Sequence, residues 1–228
     1  MNNFISLKKL SKNYFSKSKI KALSNINLNF KPGKIYSITG PSGSGKSTLL
    51  NIISLIDKPS SGSLFIDNKE IDFQKNDLND NIRSTKIGII YQNYNLLPDF
   101  TALENVSLAG LASGKNLKKS EIEAKKIISY LGLLKRSNHL PSELSGGENQ
   151  RIAIARALIN QPKIILADEP TGNLDNIAAK NVFKILLSLK KINRIIIFAT
   201  HNREFAKLSD YKIEMIDGKI KSVNAKFK

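Results

Sequence analysis

The segment Gly40-Pro-Ser-Gly-Ser-Gly-Lys46-Ser47 follows the short apolar run Ile35-Tyr-Ser-Ile-Thr39 and precedes Leu49, Leu50, Ile52, Ile53 and Ile56 at helical spacing. Strand, glycine-rich loop and helix therefore come in immediate succession. Gly40, Gly43 and Gly45 let backbone amides approach and wrap phosphate oxygens. Lys46 places a cation on β- and γ-phosphates, and Ser47 offers a hydroxyl to Mg²⁺. A helix starting at about Ser44 adds its N-terminal amides and dipole. Pro41, Ser42, Ser44 and Thr48 complete the candidate phosphate-binding set.

Three further β-branched runs, Ile87–Tyr91, Ile164–Ala167 and Ile195–Ala199, suit strands buried on both faces of a parallel sheet. Each ends at polar residues. Gln92 follows the first, Asp168-Glu169 the second, and His201 comes just after the third. Ligands of open α/β sheets bind at the carboxyl ends of strands, so these residues are site candidates. An acid at such a tip suits Mg²⁺, as the equivalent acid does in phosphate-loop NTPases. Taken alone, an Asp-Glu pair could equally begin a turn or cap a helix. Between Asn93 and Asn160 the pattern turns helical, over Leu103–Leu111, Ser120–Leu134 and Gly146–Ile159, and we read an inserted helical lobe there. Lys118, Lys119, Lys125 and Lys126 are expected to form its solvated face.

The 228-residue chain is 41% hydrophobic, enough for one substantial core or for one domain with an inserted lobe. Its longest apolar runs, such as Ile195–Ala199, are about five residues, far short of the roughly 20 that cross a bilayer, so no membrane span is expected. Lys8 and Lys9 follow a short mixed stretch with no apolar core or cleavage site, so no secretion leader is expected either. The absence of cysteine excludes disulfides and thiolate metal sites, and two histidines leave little for a zinc site. The net charge of +17, with eight lysines and no acid in residues 1–40, would suit nucleic acid, an anionic leaflet or nucleotide phosphate. We read it as Lys-rich composition spread over solvated surfaces, and no specific nucleic acid is expected.

Leu144-Ser145-Gly146-Gly147-Glu148 stands about a hundred residues beyond the phosphate loop and shortly before Asp168-Glu169. In this order the motifs resemble those of ATP-binding cassette (ABC) ATPases. The resemblance covers nearly the whole chain. It implies an α/β phosphate-loop NTPase (RecA-like) core with an N-terminal antiparallel β subdomain and an inserted helical subdomain. Residues 1–228 would form a single ABC ATPase domain. Residues 1–92 and 161–228 would be the nucleotide-binding core, and residues 93–160 the helical signature subdomain. It also implies ATP and Mg²⁺ as ligands, with Ser47, Asp168 and Gln92 serving the metal and Gln92 also a catalytic residue that senses the water. Glu169 would polarise the attacking water, a general-base role, and His201 would orient it against the γ-phosphate. Tyr14 matches the aromatic that stacks on adenine, although Phe15 is adjacent and either could lie in the core. The signature, Leu144 to Glu148, would close on the ATP of a second subunit, and Asp175 would lie in the loop linking the two sites.

The longer stretches Tyr91–Val106 and Pro141–Asp175 are similar to the ATP-binding subunits of bacterial lipoprotein-releasing transporters. That resemblance implies a homodimer on the cytoplasmic face of the inner membrane. It would be a peripheral subunit driving two integral membrane subunits, without binding the lipoprotein itself. A related efflux or cell-division ABC ATPase is the alternative. A soluble ABC protein acting on ribosomes or nucleic acid is a third reading, but such proteins usually carry two cassettes or a long coiled-coil insert, and neither is present. Two positions depart from the common pattern: Asn149 stands where Arg often follows the signature Glu, and Asn202 where Asp often follows the histidine.

Overall fold

The computed structural model describes residues 4–15 and 19–226. Lys17 and the first three residues, part of the basic amino-terminal stretch read above, lie outside them. Along the chain run β1 (Ile5–Phe15), β2 (Lys19–Phe30), β3 (Ile35–Thr39), α1 (Lys46–Ile53), β4 (Ser61–Ile66), β5 (Lys69–Glu70), α2 (Asn76–Lys86), β6 (Ile87–Ile90) and α3 (Ala102–Leu111). Then follow α4 (Leu117–Tyr130), α5 (Gly146–Leu158), β7 (Ile164–Asp168), α6 (Asn176–Ser188), β8 (Ile195–Ala199), α7 (Arg203–Ala206), β9 (Tyr211–Ile216) and β10 (Lys219–Ala225). They form two compact units, one holding the described residues up to Asp80 together with those from Lys190 onward, the other Asn81–Leu189.

The first unit holds an antiparallel sheet in the order β2-β1-β4-β5. Alternation drives it: Ile5 and Leu7 are buried and pair with Phe30 and Leu28 on one side and with Ile66 and Leu64 on the other. In the same unit β3 pairs in parallel with both β8 and β9, and β9 pairs antiparallel with β10. Ile35, Tyr36, Ser37 and Ile38 are all buried, as are all five residues of β8. This is what a strand flanked on both edges and covered on both faces requires. Helix α1 buries Leu49, Leu50, Ile52 and Ile53.

Two expectations about α1 are corrected. The helix begins at Lys46 rather than about Ser44, because Gly45 takes a left-handed conformation at the N-cap. It ends at Ile53, so Ile56 falls outside it and is half exposed. Leu55, with φ 62°, has by then turned the chain away.

In the second unit β6 and β7 pair in parallel, Ile87 against Ile164 through Ile90 against Ala167. Helices α3, α4 and α5 pack on one another, with Val106, Ala124, Ile128, Ile152, Ala153 and Ile154 fully buried. Lys118, Lys119, Lys125 and Lys126 are exposed, as expected of a solvated face. The fourteen-residue α4 starts at Leu117 under an Asn116 cap and stops at Tyr130, so Leu134 lies beyond it in a 3₁₀ turn. Helices α2 and α6 were not anticipated. Among the described residues no helix is long and apolar enough to cross a membrane.

Ile38 is fully buried in the first unit, in the strand that runs into the glycine-rich loop. Ile38→Ala is expected to cost about 2–5 kcal/mol of stability through lost burial and a residual cavity. Urea unfolding should show a lower midpoint at unchanged slope.

Candidate functional site

In the first unit the glycine-rich loop is wedged between β2 and the β9–β10 hairpin. A Cβ on Gly40 would lie 2.2 Å from the Met215 carbonyl oxygen. One on Gly45, which has φ 96°, would lie 2.6 Å from the Ala22 carbonyl oxygen. No side chain fits at either position, so the loop approaches its floor as bare backbone. The Gly218 amide donates to the Ser44 carbonyl at 3.2 Å, tying the hairpin turn to the loop. Lys46 is buried, and its Nζ donates to the carbonyls of Gly40 and Pro41, each at 2.9 Å. The ammonium thus closes residues 40–46 into a ring ahead of α1. Pro41, Ser42, Gly43 and Ser47 face solvent, Ser44 is buried, and Gly40, Gly45 and Thr48 are half-buried.

His201 belongs to the same unit and reaches the same edge. The Thr200 amide donates to the Ile38 carbonyl at 3.0 Å, which holds the end of β8 against the end of β3, one residue before His201 and two before Gly40 respectively. His201 is exposed. Asn202 caps α7, its Oδ1 accepting from the amides of Glu204 and Phe205 at 2.9 and 3.2 Å. An amide oxygen serves a helix cap as well as a carboxylate oxygen does, so the departure from Asp costs nothing here. Tyr14 and Phe15 both lie outside the core, 38% and 78% exposed. The Tyr14 phenol donates to Asp57 Oδ2 at 2.7 Å.

In the second unit Asp168 ends β7 half-buried, and its Oδ1 is buried without a hydrogen-bond partner among the described residues. A buried carboxylate oxygen is strongly disfavoured unless a cation or donor meets it, so the position fits a metal-directed acid. Glu169 follows with φ 44°, a left-handed conformation that β-carbon sterics penalise, immediately before Pro170. Gln92 is exposed, two residues beyond β6. Its Nε2 donates to Asn173 Oδ1 at 3.1 Å, while Asn173 Nδ2 donates back to the Gln92 carbonyl at 3.3 Å and to Asn93 Oδ1 at 2.8 Å. Asn173 therefore latches the Gln92 segment to the loop running to Asp175. Arg156 adds a second latch, donating to the carbonyls of Tyr94 and Asn95, both of which have positive φ. Burial pushes the Tyr91 phenol up, against the pull of Arg156 and Arg83.

The pentapeptide Leu144–Glu148 is the start of α5. The Ser145 hydroxyl accepts from the Glu148 amide at 3.3 Å and donates to Glu148 Oε2 at 2.8 Å, and the Ser145 amide donates to the same oxygen at 2.8 Å, a complete capping box. Those bonds from Ser145 hold the Glu148 carboxyl below the usual range, with Arg136 Nε at 3.1 Å helping. Asn149 is buried and donates to the carbonyls of Pro141 and Leu144 at 2.9 and 3.2 Å. At this position, where Arg is common, the residue is a strut for the loop entering the helix. Asp175 caps α6, its Oδ1 accepting from the amides of Ile177 and Ala178 at 2.8 and 2.9 Å. Ser145, Gly146, Gly147, Arg151, Leu174 and Asp175 all line one open cleft of about 500 Å³. Asn149 and Asn202 were singled out in the sequence only as departures. Asn173 and Arg156 were missed, and nothing in their local spacing marks them.

Residues 23–172 match the family model described as ABC transporter. The chain is 48% identical over 217 residues to the lipoprotein-releasing system ATP-binding protein LolD of Rickettsia bellii (strain RML369-C), covering 93% of this chain and 96% of that protein. It is 44% identical over 198 residues to the protein of the same name from Aquifex aeolicus (strain VF5), covering 87% and 88%. Among solved structures, a dimeric post-hydrolysis state of the ATP-binding cassette MJ0796 bound to ADP and Pi aligns at a TM-score of 0.89. The identity is 39%, and the alignment covers 97% of this chain and 98% of that one. The structure of cbiO1 from Clostridium perfringens, part of the ABC transporter complex cbiONQ, aligns at 0.85 with 29% identity over 99% and 89%. The phosphate-loop α/β fold expected from the sequence is the fold these cassettes share.

Because the folded Glu148 carboxyl titrates below its ordinary value, its contribution to stability is fully present above the unfolded-state range. That contribution is lost as pH falls through the lowered folded value. Glu148→Gln keeps the capping geometry without the titration. Unfolding measured across the acid range should therefore show a shallower loss of stability for Glu148→Gln than for the parent.

Proposed function

The chain belongs to the ABC transporter family, and on that premise we propose that it is the ATP-hydrolysing subunit of a transporter that releases lipoproteins from the bacterial inner membrane towards the outer membrane. The observation that supports the ATPase reading is the buried Lys46 ammonium held by the carbonyls of Gly40 and Pro41 in a glycine-rich loop at a strand tip, an arrangement suited to binding phosphate. The lipoprotein reading rests on relatives carrying that name at high identity over most of both chains.

In this reading the amides of Gly40 to Ser47 and the start of α1 bind the phosphates, and Lys46 turns part of its bonding from the loop carbonyls to the β- and γ-oxygens. Tyr14 faces the base. Ser47, Asp168 and Gln92 serve Mg²⁺, for which the unpartnered Asp168 oxygen is suited, and the ion would neutralise charge on the phosphate oxygens. Glu169 accepts a proton from the attacking water, and the exposed His201 orients that water. The strained backbone at Glu169 supports a positional demand on this carboxylate. Ser145, Gly146 and Gly147 supply the amides and dipole of α5 to the ATP of a second copy, and Asp175 lies in the loop joining the two sites. Residues 1–92 with 161–228 act as the nucleotide-binding core, and residues 93–160 as the signature subdomain. The homodimer sits at the cytoplasmic face as a peripheral partner of two integral membrane subunits, which hold the lipoprotein.

Glu169→Gln should keep ATP binding while lowering hydrolysis by about 10²–10⁴, because the amide preserves shape but accepts no proton. Lys46→Ala should instead weaken binding itself. Near-normal turnover by the first variant, or unchanged nucleotide affinity in the second, would overturn the assignment. Membrane subunits that co-purify in mild detergent and release lipoproteins only with the active chain would support the transport role. Co-purification with a different class of transporter would refute it.

A further inference from the structure

Tyr14 sits at the end of β1 in surroundings more ordered than an exposed aromatic needs. Its phenol donates to Asp57 Oδ2 at 2.7 Å. The other carboxylate oxygen accepts from Lys12 Nζ at 2.5 Å and from the Lys58 amide at 2.7 Å. Lys12 is buried and also donates to the Lys58 carbonyl at 2.8 Å. Its Nζ stands 4.7 Å from the centre of the Tyr14 ring, within range of a cation–π contact. Burial alone would raise the Asp57 carboxyl, but the bonds from Lys12, Tyr14 and the Lys58 amide outweigh it and hold the group below its usual range. Burial and Asp57 push the Tyr14 phenol up, and the Thr48 hydroxyl, next in sequence to Ser47, acts on the same oxygen in the opposite direction.

A tyrosine ring has two principal torsions. The strand backbone restrains the first, and an anchored hydroxyl fixes the direction in which the ring extends. A buried ammonium against the ring leaves less of its surface open. Phe15, without such an anchor, is twice as exposed. We propose that Asp57 and Lys12 form a clamp that presents the Tyr14 ring, in one orientation and with one side closed, to the base of the bound nucleotide. Asp57 is then a positioning residue for nucleotide affinity and takes no part in the phosphate chemistry. This rests on the ATP-binding reading above and adds residues to it.

The test uses the full chain and two probes, ATP and inorganic tripolyphosphate, which has the phosphates but no base. Tyr14→Ala should weaken ATP binding about ten- to a hundredfold, the usual range for losing a base–aromatic stack. Tyr14→Phe and Asp57→Asn should weaken it about three- to tenfold, raising KM with kcat within about twofold of the parent. Tripolyphosphate binding should be unchanged in all three. Tyr14→Phe leaves the Lys12–Asp57 pair intact, so it carries the test even where Asp57→Asn unfolds. Wild-type ATP affinity in Tyr14→Phe would overturn the clamp, and so would an equal loss of tripolyphosphate binding, which signals general damage. A parent chain that binds neither probe would instead refute the ATP reading itself.

Discussion

The glycine-rich loop of the first unit is organised around a buried cation held by neutral oxygens. Lys46 is buried, and its Nζ donates to the carbonyls of Gly40 and Pro41. Burying an ammonium is costly unless strong dipoles or an anion face it. The loop supplies dipoles by curling, and curling is possible only because Gly40 and Gly45 pass within side-chain-free distance of Met215 and Ala22. That in turn requires β2 and the β9–β10 hairpin to flank the loop, with the Gly218 amide bonded to Ser44. Strand β2 and the β9–β10 hairpin thus shape the glycine-rich loop, and β1, paired with β2, carries Tyr14.

A second regularity links the remaining candidates. Ser145, Asp175 and Asn202 each cap a helix with a side-chain oxygen, and Gly45 occupies the same position in α1. Each candidate loop therefore ends at the N-terminus of a helix, where the helix dipole begins. Capping fixes the loop's geometry locally, so the short polar segments keep their shape without a core of their own. One oxygen of Asp175 is committed to its cap, which leaves the other for any contact with a second copy.

The sequence made the strand–loop–helix unit and the strand tips legible because burial on both faces writes continuous β-branched runs, and phosphate binding writes glycines at set intervals. The signature helix was legible through its motif. Helix α2 was not, since Asn76–Lys86 is almost wholly polar and buries only Asn79, so it carries no apolar period. Helix α6 could have been read from Asp175 followed by Ala179, Val182, Phe183 and Leu186, a cap and a buried stripe. The end of α1 was misplaced because Ile56 continues the period that Leu55 interrupts through its backbone. The latches made by Asn173 and Arg156 join residues 61 to 81 positions apart, and no local pattern encodes such a pairing. The same holds for the Lys12–Asp57 pair, 45 positions apart.

The central claim is that one copy's phosphate loop and a second copy's Ser145 enclose the same ATP. The chain has no cysteine, and Ser42 and Ser145 are both exposed, so Ser42→Cys with Ser145→Cys in a Glu169→Gln background gives a direct readout. Mild oxidation or a short bifunctional cross-linker should yield covalent dimers joined between subunits with ATP and Mg²⁺ present, and none with ADP. Cross-links formed within one chain, or no cross-link under any nucleotide condition, would contradict the account.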